Sequence, residues 1–138
     1  KNNSSQTIQY FDANRGLVNL SMQTMQIAID FIAPHVKVLR QNQYKALKHD
    51  ITSEGLTNPI IVMPNSRINY DEAIRKVENI AEYDTKKQLL AYNGNQRLSI
   101  IEELGYYTVS CFIVDNVRHA HILQLQLQNG IIINEPAS

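Results

Sequence analysis

The chain has 138 residues, the size of one compact domain with enough apolar content to bury a core without disulfides or a structural metal. Lys plus Arg equals Asp plus Glu at 13 each, so no global positive field holds a nucleic acid by its phosphates, and any such contact must be local. The single cysteine, Cys111, excludes an intramolecular disulfide and a thiolate metal cluster, and no run approaches the roughly 18 to 20 apolar residues of a membrane span; a cytoplasmic chain without membrane contact is expected.

The chain begins at Lys1, and residues 1 to 7 are polar and rich in Asn, Ser and Gln. Residues 1–20 are expected to be a flexible N-terminal segment of a piece of a longer protein, with one folded domain over 21–130 and a tail over 131–138. Ile27 to Ile32 is an apolar run closed by Pro34, the pattern of a first strand, and Val36 to Arg40 continues as extended chain or loop. From Gln41 to about Ser53, Tyr44, Leu47 and Ile51 recur at helical spacing, and Gly55 is placed to end that helix. Asn58 to Met63 is a β-branched run closed by Pro64, the composition of a buried strand. Residues 65–88 carry Tyr70, Ala73, Ile74, Val77, Ile80 and Ala81 at helical period, which predicts a helical insert with a solvated charged face.

A strand over Leu89 to Tyr92 then runs into Gly94-Asn95-Gln96-Arg97 and directly into a helix through Leu104, with Gly105 just past its end. Thr108 to Val114 reads as a third strand, placing Cys111 as an inert core thiol. Asn116 to about Gln128 fits both a strand, by the alternation of Leu123, Leu125 and Leu127, and a helix, by the spacing of Val117, Ala120, Leu123 and Leu127. Length and a capping residue at Asp115 or Asn116 favour the helix.

Two turns carry the chemistry. A glycine-led helix N-terminus with an arginine in its first turn offers unpaired N–H groups, the positive end of the helix dipole and a guanidinium, and phosphate is the natural guest. If the strands following Gly55 and preceding Gly94 are neighbours, Gly55, Asn58 and Arg97 face one cleft, with Asn58 offering an amide to a base or ribose edge and Arg97 a forked donor set to phosphate. Spacing alone leaves open that Gly55 and Gly94 serve only their turns and that Arg97 is solvated. Other chemistries lack their markers. His35, His49, His119 and His121 form no metal-ligand pattern, and neither a nucleophile elbow nor a GxxxxGK[ST] loop is present.

Taken in order, GLTNPIIV at 55–62, LLAYNGNQRLSIIEELGY at 89–106 and TVSCFIVD at 108–115 resemble the ParB/sulfiredoxin superfamily, most of all the ParB N-terminal domain. The resemblance covers most of residues 27–130 and implies a small α/β (α+β) domain, a mixed sheet with packed helices, that binds a nucleoside triphosphate, CTP in ParB proteins, with Mg²⁺ as an accompanying ion. By that likeness Gly55, Leu56, Thr57 and Asn58 lie beside base and ribose, Gly94, Asn95, Gln96 and Arg97 hold phosphates, and Arg40 stands near them. Gln128 and Asn129 occupy the position of an ENxQR-like motif.

Departures from the family pattern shape the expectation. An amide replaces the carboxylate at Gln128, and an amide oxygen is a poorer ligand for a hard cation, so binding without efficient hydrolysis is expected. Gln96 stands where sulfiredoxins carry a catalytic Cys, which removes peroxiredoxin repair. The resemblance therefore implies a nucleotide-responsive module of DNA segregation, of phage or mobile-element DNA metabolism, or of regulation. Its partners would be a nucleotide, DNA reached through a flanking region or another chain, and a second copy in a homodimer. Two alternatives stay open: a nuclease or nucleotide-dependent kinase using Asp115, Glu102 or Glu103, and an interaction domain without ligand that associates through exposed Leu123, Leu127 and Ile131 to Ile133.

Overall fold

The computed structural model describes residues 4–12, 16–39, 41–56, 58–129 and 131–135, and the side chains of 23–39, 41–56 and 58–128. The strands are β1 (Ser4–Asp12), β2 (Gly16–Ala28), β3 (Ile32–Pro34), β4 (Ile60–Pro64), β5 (Leu89–Ala91), β6 (Thr108–Ile113) and β7 (Ile131–Glu135). The helices are α1 (Asn42–Glu54), α2 (Arg67–Ile74), α3 (Asn95–Glu103) and α4 (Val117–Asn129). Among the described residues the strands form one mixed sheet in the order β3-β5-β4-β6-β2-β1-β7. The pairs β3–β5 and β4–β6 are parallel and the others antiparallel.

Alternation in β4 shows how the layers arise. Ile60 and Val62 point to one face and Ile61 and Met63 to the other, and all four are 0% exposed. A strand covered on both sides must be apolar at every position, as this one is. One face packs Ile60, Val62 and Cys111 with Tyr44 and Ile51 of α1 and Leu98 and Ile101 of α3. The other packs Ile61, Met63 and Phe112 with Tyr70 and Ala73 of α2 and Ala120 and Leu123 of α4. Each fully buried aliphatic side chain contributes about 1.5–3 kcal/mol. No helix among the described residues is long and apolar enough to cross a membrane.

Four expectations change. Ile27 to Ile32, expected as one strand, divides into the end of β2 at Ala28, a 3-10 turn over Ile29–Phe31 and the start of β3 at Ile32. Residues 1–20, expected to be flexible, contain β1 and the start of β2, which pair from Ser4↔Thr24 to Asp12↔Gly16. The signal was the alternation Val18-Asn19-Leu20-Ser21-Met22-Gln23, a period of two. The tail at Ile131–Glu135 is β7, hydrogen-bonded to β1. The insert is helical only over Arg67–Ile74, where Ser66 caps it by accepting the Asn69 N–H at 3.2 Å. Beyond Ile74 the chain turns through left-handed Lys76 (φ 63°) and Asn79 (φ 58°). Ile80 then forms a β-bridge with Val36, and Asn65 Nδ2 donates to the carbonyls of Asp84 at 2.7 Å and Lys87 at 2.8 Å. Covering the open edge beyond β3 outweighs the helical spacing of Val77, Ile80 and Ala81.

Two local choices follow the sequence. α1 ends at Gly55 (φ 81°), whose N–H donates to Ile51 O at 2.8 Å. Asn116, rather than Asp115, caps α4 by accepting the His119 N–H at 3.0 Å.

Candidate functional site

β4 and β5 are neighbours, so the turn before β4 and the turn after β5 lie side by side. The ladder between them ends in a substitution: Tyr92 N–H still donates to Ile61 O at 2.8 Å, but Asn93 Oδ1 takes the Ile61 N–H at 2.7 Å. A side chain thus replaces the next backbone acceptor, and the main chain is released to turn into α3.

Gly94 makes that turn in the left-handed region (φ 74°, ψ 23°) as the N-cap of α3, and no side chain caps the helix. A Cβ at this position would lie 2.3 Å from Ile60 Cγ2 and 3.0 Å from Arg97 Nη2. The first intrahelical bond runs from Leu98 N–H to Gly94 O at 2.8 Å, leaving the N–H groups of Asn95, Gln96 and Arg97 without partners inside the helix. Arg97 reaches back over Gly94, and its Nη1 donates to Asn58 O at 2.9 Å and Pro59 O at 3.4 Å. The guanidinium is half-buried, which lowers its pKa from the ordinary arginine value while leaving it cationic at neutral pH. Among the described residues no carboxylate comes within ion-pair distance of it.

These groups open onto a cleft of about 820 Å³. Asn58, Gly94, Asn95, Gln96, Arg97 and Gln128 line it, and α4 forms the opposite wall with Gln124 and Leu127. Gly55 and Leu56 line a smaller hollow of about 210 Å³ next to it, and Asn58 and Arg97 border both. Arg40 and Thr57 lie outside the described residues, and Asn129 is placed only as the last residue of α4.

Asn95, a phosphate contact by the family resemblance, turns its side chain to the domain interior. Its side chain is buried and accepts the His35 N–H through Oδ1 at 2.9 Å, so only its backbone N–H faces the helix end. His35, absent from the sequence-derived site, stands in the cleft wall 6% exposed, its ring stacked on Tyr92 with centroids 6.2 Å apart. Burial lowers its pKa from the ordinary value, opposed by its contact with Ala91 O. No sequence pattern links His35 to Asn95, because the parallel pairing of β3 and β5 brings them together.

The acidic residues of the enzymatic alternative lie elsewhere. Glu103 accepts the Tyr44 hydroxyl at 2.7 Å and pairs with Lys48 at 3.6 Å, while Asp115 faces His119 at 3.6 Å. Neither they nor Glu102 line the cleft, whose described lining holds no carboxylate. Among the described residues no group of three His, Cys, Asp or Glu side chains is set to hold a metal ion. Leu123, expected to be exposed on an interaction surface, is buried against the sheet. Cys111 is buried and its thiol is pushed up to about 12, an inert core residue.

No protein-family model matches the chain, and no curated protein sequence matches it. Solved structures do. Sulfiredoxin from Arabidopsis thaliana is 19% identical over 75% of this chain and 96% of its own, with a TM-score of 0.46. The C-terminally truncated chromosome-partitioning protein ParB from Caulobacter crescentus, complexed with CTP-γ-S, is 17% identical over 75% of this chain and half of its own, with a TM-score of 0.50. An identity this low speaks to architecture alone, and the likeness to the ParB structure, with the sheet and helix order above, gives the conclusion that the chain has a ParB-like α/β fold.

Proposed function

We infer that this chain is a ParB-like nucleotide-binding module whose cleft takes a nucleoside triphosphate, its phosphates over the N-terminus of α3. The observation that carries the reading is Arg97, a half-buried guanidinium held by two carbonyls with no carboxylate in ion-pair distance among the described residues, beside three N–H groups that lack intrahelical partners. A desolvated cation of that kind favours an anion in the adjoining space. The helix end adds about half a unit of positive charge. The cleft volume, about 820 Å³, falls within the range of small-molecule sites.

CTP is the first candidate, since the ParB structure of similar fold is complexed with CTP-γ-S. Asn58 and the neighbouring Gly55 and Leu56 would then meet base and ribose. Mg²⁺ would rest on phosphate oxygens, water and the amides of α4, because the described lining supplies no anionic oxygen. Binding without vigorous hydrolysis follows. A role in DNA segregation, phage DNA metabolism or regulation, contact with DNA and dimerisation belong to the same proposal. Sedimentation with and without nucleotide tests the last of these.

Calorimetry with CTP, ATP, GTP and ADP in the presence of Mg²⁺ tests the binding itself. One of them is expected to bind, and Arg97→Ala to weaken it about 10- to 100-fold, the loss of a charge-assisted contact of about 1.5–3 kcal/mol. No binding to any of the four at millimolar concentration, or normal binding by the variant, would overturn the assignment.

A further inference from the structure

His35 is the one titratable side chain in the described cleft lining besides Arg97 and Tyr92, and the phosphate-binding reading leaves it unused. Its environment fixes its chemistry. Nδ1 lies against Ala91 O, and a carbonyl can only accept, so Nδ1 carries the proton and Nε2 keeps its lone pair. Asn95 Nδ2, 3.2 Å from the same Nδ1, is then a close contact rather than a donor, consistent with Asn95 Oδ1 accepting the His35 N–H. The stack on Tyr92, whose hydroxyl meets His121 Nδ1 at 3.2 Å, holds the ring plane. Among the described residues Nε2 has no protein partner, yet the buried side-chain atoms left unpaired there are only Asn65 Oδ1 and Tyr70 OH. Solvent therefore reaches Nε2 of this residue, which is 6% exposed and lines the cleft.

We propose that His35 is a second phosphate contact of this site, and that a polyphosphate bound over α3 draws a proton from solvent onto Nε2, which then donates to a phosphate oxygen. The proposal rests on the phosphate-binding reading above and adds to it a linkage between ligand and proton. Without ligand, burial disfavours the charged form of the imidazole, opposed by its contact with Ala91 O. A polyphosphate supplies the opposite charge and reverses that preference. Charged groups elsewhere on the elements packed against His35 include Lys37 and Glu78, which line a neighbouring hollow, Glu82 beside Ala81 whose N–H bonds the His35 carbonyl, Glu102 and Glu103 of α3, and His121 of α4 beyond Tyr92. None of them lines the cleft. Affinity then rises as pH falls, by up to about tenfold per pH unit if one whole proton is taken up.

Inorganic tripolyphosphate and CTP are the probes, titrated into the full chain by calorimetry in two buffers of different ionisation enthalpy between pH 7.5 and 5.5. Wild type is expected to take up more protons per ligand than His35→Gln, whose side chain cannot titrate, and to show the steeper gain in affinity. The difference between the two chains cancels the ligand's own protonation. A measurement independent of that variant uses ¹⁵N-labelled histidine in a chain carrying His49→Gln, His119→Gln and His121→Gln, all exposed positions, so that His35 is the sole imidazole. Its Nε2 signal is expected to move from the unprotonated to the protonated position on adding tripolyphosphate. Binding with Nε2 unprotonated, or with equal proton uptake in wild type and His35→Gln, overturns the role of His35 and leaves phosphate binding standing. Absence of any binding by wild type overturns both.

Discussion

Gly94 holds three constraints at one position: a left-handed backbone, a close approach to Ile60 and the guanidinium of Arg97 lying across it. Gly94→Ala should therefore destabilise the fold by about 2–4 kcal/mol, combining backbone strain with overpacking. Gly105 has a similar φ of 85°, but nothing lies within 4 Å of where a Cβ would stand, so Gly105→Ala should cost only the backbone part, about 1–2 kcal/mol. Urea unfolding of both variants checks this, and equal losses would mean that the contact with Ile60 relaxes freely. At the same scale Asn95 shows how a residue in a motif can serve a neighbour. Its side chain ties α3 to the residue after β3, and what remains for a ligand is its backbone N–H.

At the scale of elements, the segment 75–88 gives up helix for edge protection. One of its holds on the domain is Asn65, whose Nδ2 bonds two carbonyls of that segment. Asn65→Ala should leave those carbonyls without their donor and lower stability by about 1–3 kcal/mol. Hydrogen exchange should show the loss of protection concentrated at Lys37 and Ala81, whose N–H groups bond across the strip to Asn79 O and His35 O. Uniform loss across the sheet would contradict a local role. Because Val77 also lines the cleft, the same variant is expected to weaken nucleotide binding without touching a phosphate contact.

For the whole molecule, His35 couples stability to pH. Its folded pKa lies below the ordinary 6.5, to which the unfolded chain returns. Above that value both states are neutral and stability is full. As pH falls below 6.5 the unfolded state binds the proton first, and stability drains until the folded pKa is passed. Urea midpoints of wild type should fall between about pH 7.5 and 5, and those of His35→Gln should fall less. An identical acid dependence in the two chains would remove His35 as its source. The strand into glycine into helix at Leu89 to Leu104, the buried strand at Ile60 to Met63 and the helix ended by Gly55 were all legible, because each is set by periodicity and by which residues tolerate a given backbone angle. The adjacency of the two turns stood in the sequence only as a condition, and the pairing of β4 with β5 met it. Residue order alone determined these local elements and the candidate anion site at α3. The tertiary structure decided the hairpin of β1 and β2, the short helix in the insert and the meeting of His35 with Asn95, because strand pairing and edge coverage join residues far apart in the chain, and no local period encodes which strands will lie side by side.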